Sequence, residues 1–164
     1  VIIYGPTYSY ENRDKQHDFG AELEAAYSPT EKLNLKVSYA YIDGKITQVL
    51  EGKDTSYFNL VRRPKNTVSL FAGYQLTKQL YISSSVQFVG KRTDNLYDPV
   101  TYLPSEVSLK GYAMWNMYVE YKIENNRISM FAEGKNLLNN RSFYEVYGYA
   151  VPGINLTAGL RFKL

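Results

Sequence analysis

The closing stretch GINLTAGLRFKL, residues 153–164, decides how the whole chain is read. Its even positions are Ile154, Leu156, Ala158, Leu160, Phe162 and Leu164, and its odd positions are Gly153, Asn155, Thr157, Gly159, Arg161 and Lys163. Successive side chains on a strand point to opposite faces, so this run is a strand with one greasy face and one wet face. An amphipathic helix would instead space its apolar residues by three and four.

The same alternation recurs upstream. Phe19, Ala21, Leu23, Ala25 and Tyr27 oppose Asp18, Gly20, Glu22, Glu24, Ala26 and Ser28, and Leu33, Leu35, Val37, Tyr39 and Tyr41 oppose Asn34, Lys36, Ser38 and Ala40. Val68, Leu70, Ala72 and Tyr74 oppose Thr67, Ser69, Phe71, Gly73 and Gln75, while Leu80, Ile82, Val86 and Phe88 oppose Ser83, Ser85 and Gln87. Ala113, Trp115, Met117, Val119 and Tyr121 oppose Asn116, Glu120 and Lys122. The weakest run is that from Arg127, where Ile128, Met130 and Ala132 oppose Ser129, Glu133 and Lys135 but Phe131 breaks the pattern. Strands are therefore expected at 9–28, 33–44, 65–76, 80–92, 110–123, 127–138 and 153–164, with residues 1–4 as the stump of one more.

Three features set this pattern apart from a soluble sandwich. Most runs are far longer than the roughly 5–6 residues of globular strands, and about ten tilted residues span the ~25 Å apolar band of an outer-membrane barrel. Connections alternate in length: Pro29-Thr30-Glu31-Lys32, Thr77-Lys78-Gln79 and Glu124-Asn125-Asn126 are short, whereas 45–64, 93–109 and 139–152 are long. Tight periplasmic turns and long extracellular loops alternate in this way in membrane barrels. Tyr27, Tyr74, Tyr121 and Phe162 lie on the apolar parity beside the short turns, and Phe19, Tyr41 and Phe88 near the long connections, as two interfacial aromatic girdles would. The fold class is thus all-β, a transmembrane antiparallel barrel. Its structural rival is a soluble lipid-binding barrel with the apolar face turned inward.

Composition agrees by exclusion. The 164 residues carry 19 Lys+Arg against 16 Asp+Glu, a net charge of +3 that is too mild for a nucleic-acid footprint. Cysteine is absent and His17 is the single histidine, so neither a thiolate site nor a histidine-rich metal site is expected, and no cofactor is. No apolar run reaches the ~20 residues of a membrane helix. The strand parity places the chain start at the extracellular end, so the chain reads as the C-terminal seven to eight strands of a larger barrel.

Four segments carry a family resemblance: NRDKQHDFGAELEAAYSPTEKLNLKVSYAYIDG (12–44), RRPKNTVSL (62–70), VQFVGKRTD (86–94) and NLLNNRSFYEVYGYAVPGINLTAGLRFKL (136–164). In this order they resemble the C-terminal third of the TonB-dependent outer-membrane receptors. The final Leu164 departs from the aromatic residue with which that family usually ends. The resemblance implies a twenty-two-strand barrel in the bacterial outer membrane, with residues 1–164 as part of its wall and the plug domain absent from this chain. It implies a ligand-gated importer, not an enzyme, coupled to TonB through that plug and taking a bulky nutrient such as cobalamin, an iron-siderophore or haem. YEVYGYAVPG, the Arg-Arg entry and Trp115-Asn116 look most like the vitamin B12 receptor group. The alternative is a porin-like or autotransporter/adhesin barrel without TonB coupling.

Candidate site residues follow from the faces. Glu22, Glu24, Lys36, Gln87, Glu120 and Arg161 are expected to face the lumen, where mixed charges also simply keep a wall hydrated. Tyr57, Phe58, Tyr97, Tyr102, Phe143, Tyr144, Tyr147 and Tyr149 sit on the long connections. Aromatic rings there suit a large ligand, and Tyr97, Tyr102 and Tyr147 are taken as its contacts, although loops also use such residues to pack on themselves. Arg62, Arg63, Lys65, Lys91, Arg92 and Arg141 are expected at the outer rim, within reach of lipopolysaccharide phosphates or simply solvated.

Overall fold

The computed structural model describes residues 2–3, 9–10, 15–50, 53–58, 61–97, 100, 104–123 and 127–163. In chain order the strands are β1 (Ile2–Ile3), β2 (Ser9–Tyr10), β3 (Lys15–Thr30), β4 (Leu33–Leu50), β5 (Lys53–Phe58) and β6 (Asn66–Gln75). They continue with β7 (Leu80–Val89), β8 (Arg92–Tyr97), β9 (Pro104–Leu109), β10 (Tyr112–Ile123), β11 (Ile128–Lys135) and β12 (Asn155–Phe162). No helix occurs among the described residues.

One antiparallel sheet dominates, in the order β3-β4-β6-β7-β10-β11-β12, with β5 paired to the far end of β4. Among the described residues the sheet does not close on itself, and β3 and β12 are its outer edges. β4 serves two partners in succession: Leu33–Tyr41 pairs with β6 and Lys45–Leu50 with β5. β8 and β9 form a separate hairpin that continues from the same end of the wall. The expected loops at 45–64 and 93–109 are thus corrected to projecting hairpins, whose short mixed-polarity strands lack the clean alternation of the wall. Ile2–Ile3 pairs with Ser9–Tyr10 in a sheet of its own, and residues 11–14 lie outside the description.

The register aligns the apolar parities across the wall. Leu23, Tyr39, Val68, Phe88 and Ala113 form one row, and Ala25, Val37, Leu70, Val86 and Trp115 the next. Adjacent rows on the other face read Glu24, Ser38, Ser69, Gln87 and Met114, then Lys36, Phe71, Ser85 and Asn116. A one-residue slip in any strand would exchange its faces, so the side-chain pattern pins the pairing.

Both described short turns use the same device. Thr30 Oγ1 accepts from the amides of Lys32 and Leu33 at 3.3 and 3.2 Å, and Thr77 Oγ1 from those of Gln79 and Leu80 at 3.2 and 3.0 Å. A threonine hydroxyl mimics the backbone carbonyl a tight turn lacks. Pro29, which has no amide to donate, falls where the β3–β4 register shifts between Tyr27 and Thr30.

The two faces differ in crowding. Apolar-face side chains stand open, Tyr27 at 66% exposure and Leu156 at 74%, whereas Ser83 and Ser129 on the polar face are at 8% and 6%. Aromatic rings overhang the polar face. Phe131, which interrupts the sequence pattern, lies opposite Gly159, where an added Cβ would meet its ring at 2.8 Å. Its ring stacks near Tyr118 at 6.1 Å, and Tyr118 lies 6.4 Å from Tyr81. On the apolar face the Trp115 indole N–H donates to Ser84 Oγ at 2.8 Å, which explains a serine on that parity.

Candidate functional site

Among the described residues two charged side chains are almost wholly buried, and both lie on β8: Arg92 at 5% and Asp94 at 1% exposure. Two apart on a strand, they share a side. Arg92 Nη1 donates to Glu145 Oε2 at 2.6 Å and Nη2 to the Tyr144 carbonyl at 2.7 Å, while its guanidinium carbon lies 5.1 Å from the Tyr112 ring centroid. The Tyr112 hydroxyl donates to the second oxygen of Glu145, and Phe143 stacks on Tyr112 at 3.7 Å. Tyr112 has the parity of Asn116 and Glu120, so the segment at Phe143–Tyr147 folds back over the polar face at the long-connection end.

Asp94 joins three segments. One oxygen accepts from Arg62 Nε at 2.7 Å and the Asn95 amide at 2.9 Å; the other accepts from the Tyr147 amide at 2.8 Å. Arg62 also donates its own amide to the Thr93 carbonyl at 2.7 Å. Its φ of 63° is left-handed, a conformation a non-glycine residue keeps only when its surroundings fix it. Burial pushes the Asp94 carboxyl up, but the Tyr147 amide, Arg62 and the Asn95 amide together outweigh it, so its pKa lies below the ordinary value.

The root of the last connection is built from asparagines. Asn136, at φ 51° and 4% exposure, receives the Asn140 amide at 3.0 Å and donates to the carbonyls of Asn140 and Pro152 at 3.0 and 3.1 Å. Its own amide donates to Asn116 Oδ1 at 3.0 Å. Asparagine tolerates the left-handed region and saturates the turned-back chain with its amide group.

At the short-turn end of the polar face, Glu120 accepts from Ser129 Oγ at 2.7 Å and Arg161 Nη1 at 3.0 Å. The Arg161 guanidinium also lies 5.6 Å from the Phe131 ring centroid.

The expected site residues distribute as follows. Glu22, Glu24, Lys36, Gln87, Glu120 and Arg161 share one face, and of these Glu120 and Arg161 are brought together. Tyr147 is half exposed at the long-connection end, its ring 5.9 Å from that of Tyr144. Tyr97 ends β8 opposite Pro104, its side chain outside the described residues, and Tyr102 lies wholly outside them. Arg92 corrects the expectation of a rim cation free for lipid phosphates, because it is buried against Glu145 and Tyr144. Lys65 is paired with Asp43 at 2.7 Å, while Arg63, Lys91 and Arg141 are exposed. The sequence reading missed Asp94, Tyr112, Asn136 and Glu145. Only the charges two apart in Arg92-Thr93-Asp94 hinted at one wet side of a strand.

These groups bind and hold: Arg92, Asp94, Glu145 and Arg62 bond one another and backbone groups, while Arg92 Nε is buried without a hydrogen-bond partner among the described residues. What faces outward from them is the pair Tyr144 and Tyr147, whose carbonyl and amide are fixed by Arg92 and Asp94.

Residues 1–137 match the family model described as TonB dependent receptor-like, beta-barrel. Among solved structures, the chain is similar to the pyoverdine outer membrane receptor FpvA from Pseudomonas aeruginosa PAO1 bound to pyoverdine. That match has a TM-score of 0.76 at 17% identity, over 99% of this chain and 24% of that one. It is similar to a chain of the FpvAI–pyocin S2 complex (TM-score 0.76, 16% identity, 94% of this chain and 20% of that one). The siderophore receptor PirA from Acinetobacter baumannii matches less closely (TM-score 0.51, 14% identity, 90% of this chain and 32% of that one). The chain spans about a fifth to a third of the length of the structures it matches.

Proposed function

This chain belongs to the TonB-dependent receptor-like β-barrel family, and from that premise we propose that it forms part of the wall of a ligand-gated importer of ferric siderophores. The family's members are receptors of the bacterial outer membrane, transporters and not enzymes, and this chain is an all-β piece of such a barrel. In this reading it is the C-terminal part of a twenty-two-strand barrel whose plug, outside these residues, meets TonB.

The observation that carries the reading is the seven-strand wall, with apolar rows along its open face, superimposing on a pyoverdine receptor at a TM-score of 0.76. Hydrocarbon touches the face bearing Leu156 and Phe162. The polar face, with Glu22, Glu24, Lys36, Gln87, Glu120 and Arg161, lines the lumen; its overhanging rings and buried serines support that orientation. Tyr147 with Tyr97 and Tyr102 contacts the ligand at the mouth, and Arg63, Lys91 and Arg141 meet lipopolysaccharide phosphates. Siderophore is preferred over cobalamin because the similar structures are receptors for ferripyoverdine and for a siderophore, whereas cobalamin and haem rest on sequence resemblance.

Uptake by cells carrying the intact receptor tests this, with radiolabelled iron supplied as ferripyoverdine or a ferric catecholate and cyanocobalamin given separately. Iron uptake that needs both receptor and TonB is expected. Uptake of cyanocobalamin alone would remove the siderophore assignment, and passage that persists without TonB would favour the porin-like alternative.

A further inference from the structure

At the long-connection end, three stretches of chain far apart in sequence converge on β8: the turn at Arg62, the β8–β9 hairpin itself, and the segment Phe143–Tyr147. We propose that Asp94 and Arg92 are a double clasp that makes these three connections one rigid rim, so that the last loop cannot move over the barrel mouth independently of the hairpin. This goes beyond the import reading and does not depend on which ligand is carried.

The argument rests on where each bond lands. Asp94 uses one oxygen on the Arg62 side chain and the other on the Tyr147 backbone, so the same buried carboxylate bridges the first and third stretches. Arg92 meets the third stretch twice, at the Glu145 carboxylate and the Tyr144 carbonyl. The two clasps thus grip Tyr144 at its carbonyl, Glu145 at its carboxylate and Tyr147 at its amide. Phe143, 3% exposed and stacked on Tyr112, anchors the segment to the wall beside them. A loop that opened alone would strip the buried Arg92 guanidinium of both its hydrogen-bond acceptors. It would also take the Tyr147 amide from the buried Asp94 carboxylate, which keeps Arg62 and the Asn95 amide. A buried charge that loses its partners is strongly unfavourable. Movement of hairpin, Arg62 turn and loop together breaks none of these bonds.

The full-length receptor in lipid nanodiscs, freed of other reactive thiols, tests this by spin-label distance measurements. Labels on Arg63→Cys with Tyr149→Cys span the first and third stretches, and labels on Ser108→Cys with Tyr149→Cys span hairpin and loop; all three positions are exposed. The parent receptor is expected to give a narrow distribution for both pairs. Asp94→Ala should widen both at least twofold, and Arg92→Met should widen the second pair. Arg141→Ala, whose side chain bonds Asn139 at the loop root, should change neither. Arg62→Gln removes the ion pair from its exposed side and should widen the first pair even where Asp94→Ala fails to fold. Unchanged widths in the clasp variants would overturn the proposal. So would widening of one pair alone by Asp94→Ala, or an effect of Arg141→Ala as large as that of Asp94→Ala.

Discussion

Arg62 donates its Nε to Asp94 at 2.7 Å across thirty-two residues of sequence, and the carboxylate it meets is 1% exposed while its own side chain is half exposed. One end of the pair is solvated and the other is not. The buried end also holds the Tyr147 amide, so its charge state governs two distant contacts.

The pH dependence follows from that. The folded Asp94 pKa is depressed, so the stabilisation it provides is complete above the ordinary carboxylate pKa of about 4 and is lost as pH falls through the lower folded value. Hydrogen exchange at the Tyr147 amide should therefore be slow and insensitive to Asp94 ionisation between about pH 5 and 8. It should gain an added opening step only on acidification below about pH 4. Asp94→Asn should abolish that step and speed exchange at neutral pH by about 10–100-fold, as expected for loss of a charge-assisted bond of roughly 1.5–3 kcal/mol. A step that persists in Asp94→Asn would assign it to another group.

Orientation of the wall is tested by two adjacent residues of β12. Leu156 stands on the open apolar face and Thr157 on the face of Glu133. In the complete barrel, Leu156→Arg should cost about 2–4 kcal/mol of folding stability in lipid vesicles and Thr157→Arg close to nothing. The reverse order would put hydrocarbon on the wrong side of the sheet.

Ser84 supplies the acceptor for the Trp115 indole. In the proposed orientation hydrocarbon covers this face and no water replaces the hydroxyl, so Ser84→Ala should destabilise the barrel by about 1–3 kcal/mol. In a Trp115→Phe background, which has no N–H to satisfy, the same substitution should be nearly neutral. Equal effects in the two backgrounds, measured as a double-mutant cycle, would show that the bond contributes nothing.

Gly159 lies under Phe131, and a methyl group there would sit 2.8 Å from two atoms of the ring. Gly159→Ala should cost about 1–3 kcal/mol through overpacking. Phe131→Leu should relieve most of that loss by removing the ring edge. Additive losses would place the strain elsewhere.

The wall was legible in the sequence because its determinants are local. Leu156 and Thr157 declare their faces by adjacency alone, and the threonines at 30 and 77 sit where the turns need a hydroxyl. Phe131 looked like a fault in the pattern because its justification, Gly159, lies on the neighbouring strand. The clasp was illegible for a stronger reason. Arg92 and Glu145 are fifty-three residues apart, as are Asp94 and Tyr147, and nothing in their spacing marks them as partners. An arginine beside a glycine-lysine pair reads as a solvated cation until the folded-back loop covers it. The projecting hairpins were hidden likewise, since strands such as Lys53–Phe58 and Arg92–Tyr97 mix polar and apolar residues on both sides.

In the main sheet every strand lies beside its predecessor and its successor along the chain, apart from the hairpins inserted at one end. Assembly of such a wall can therefore proceed like a zipper, each new pair of strands offering a finished template to the next with little chain entropy to overcome. An intermediate arrested on that route would carry contiguous protected hairpins at one side and none at the other, because each strand finds its partner next to it along the chain.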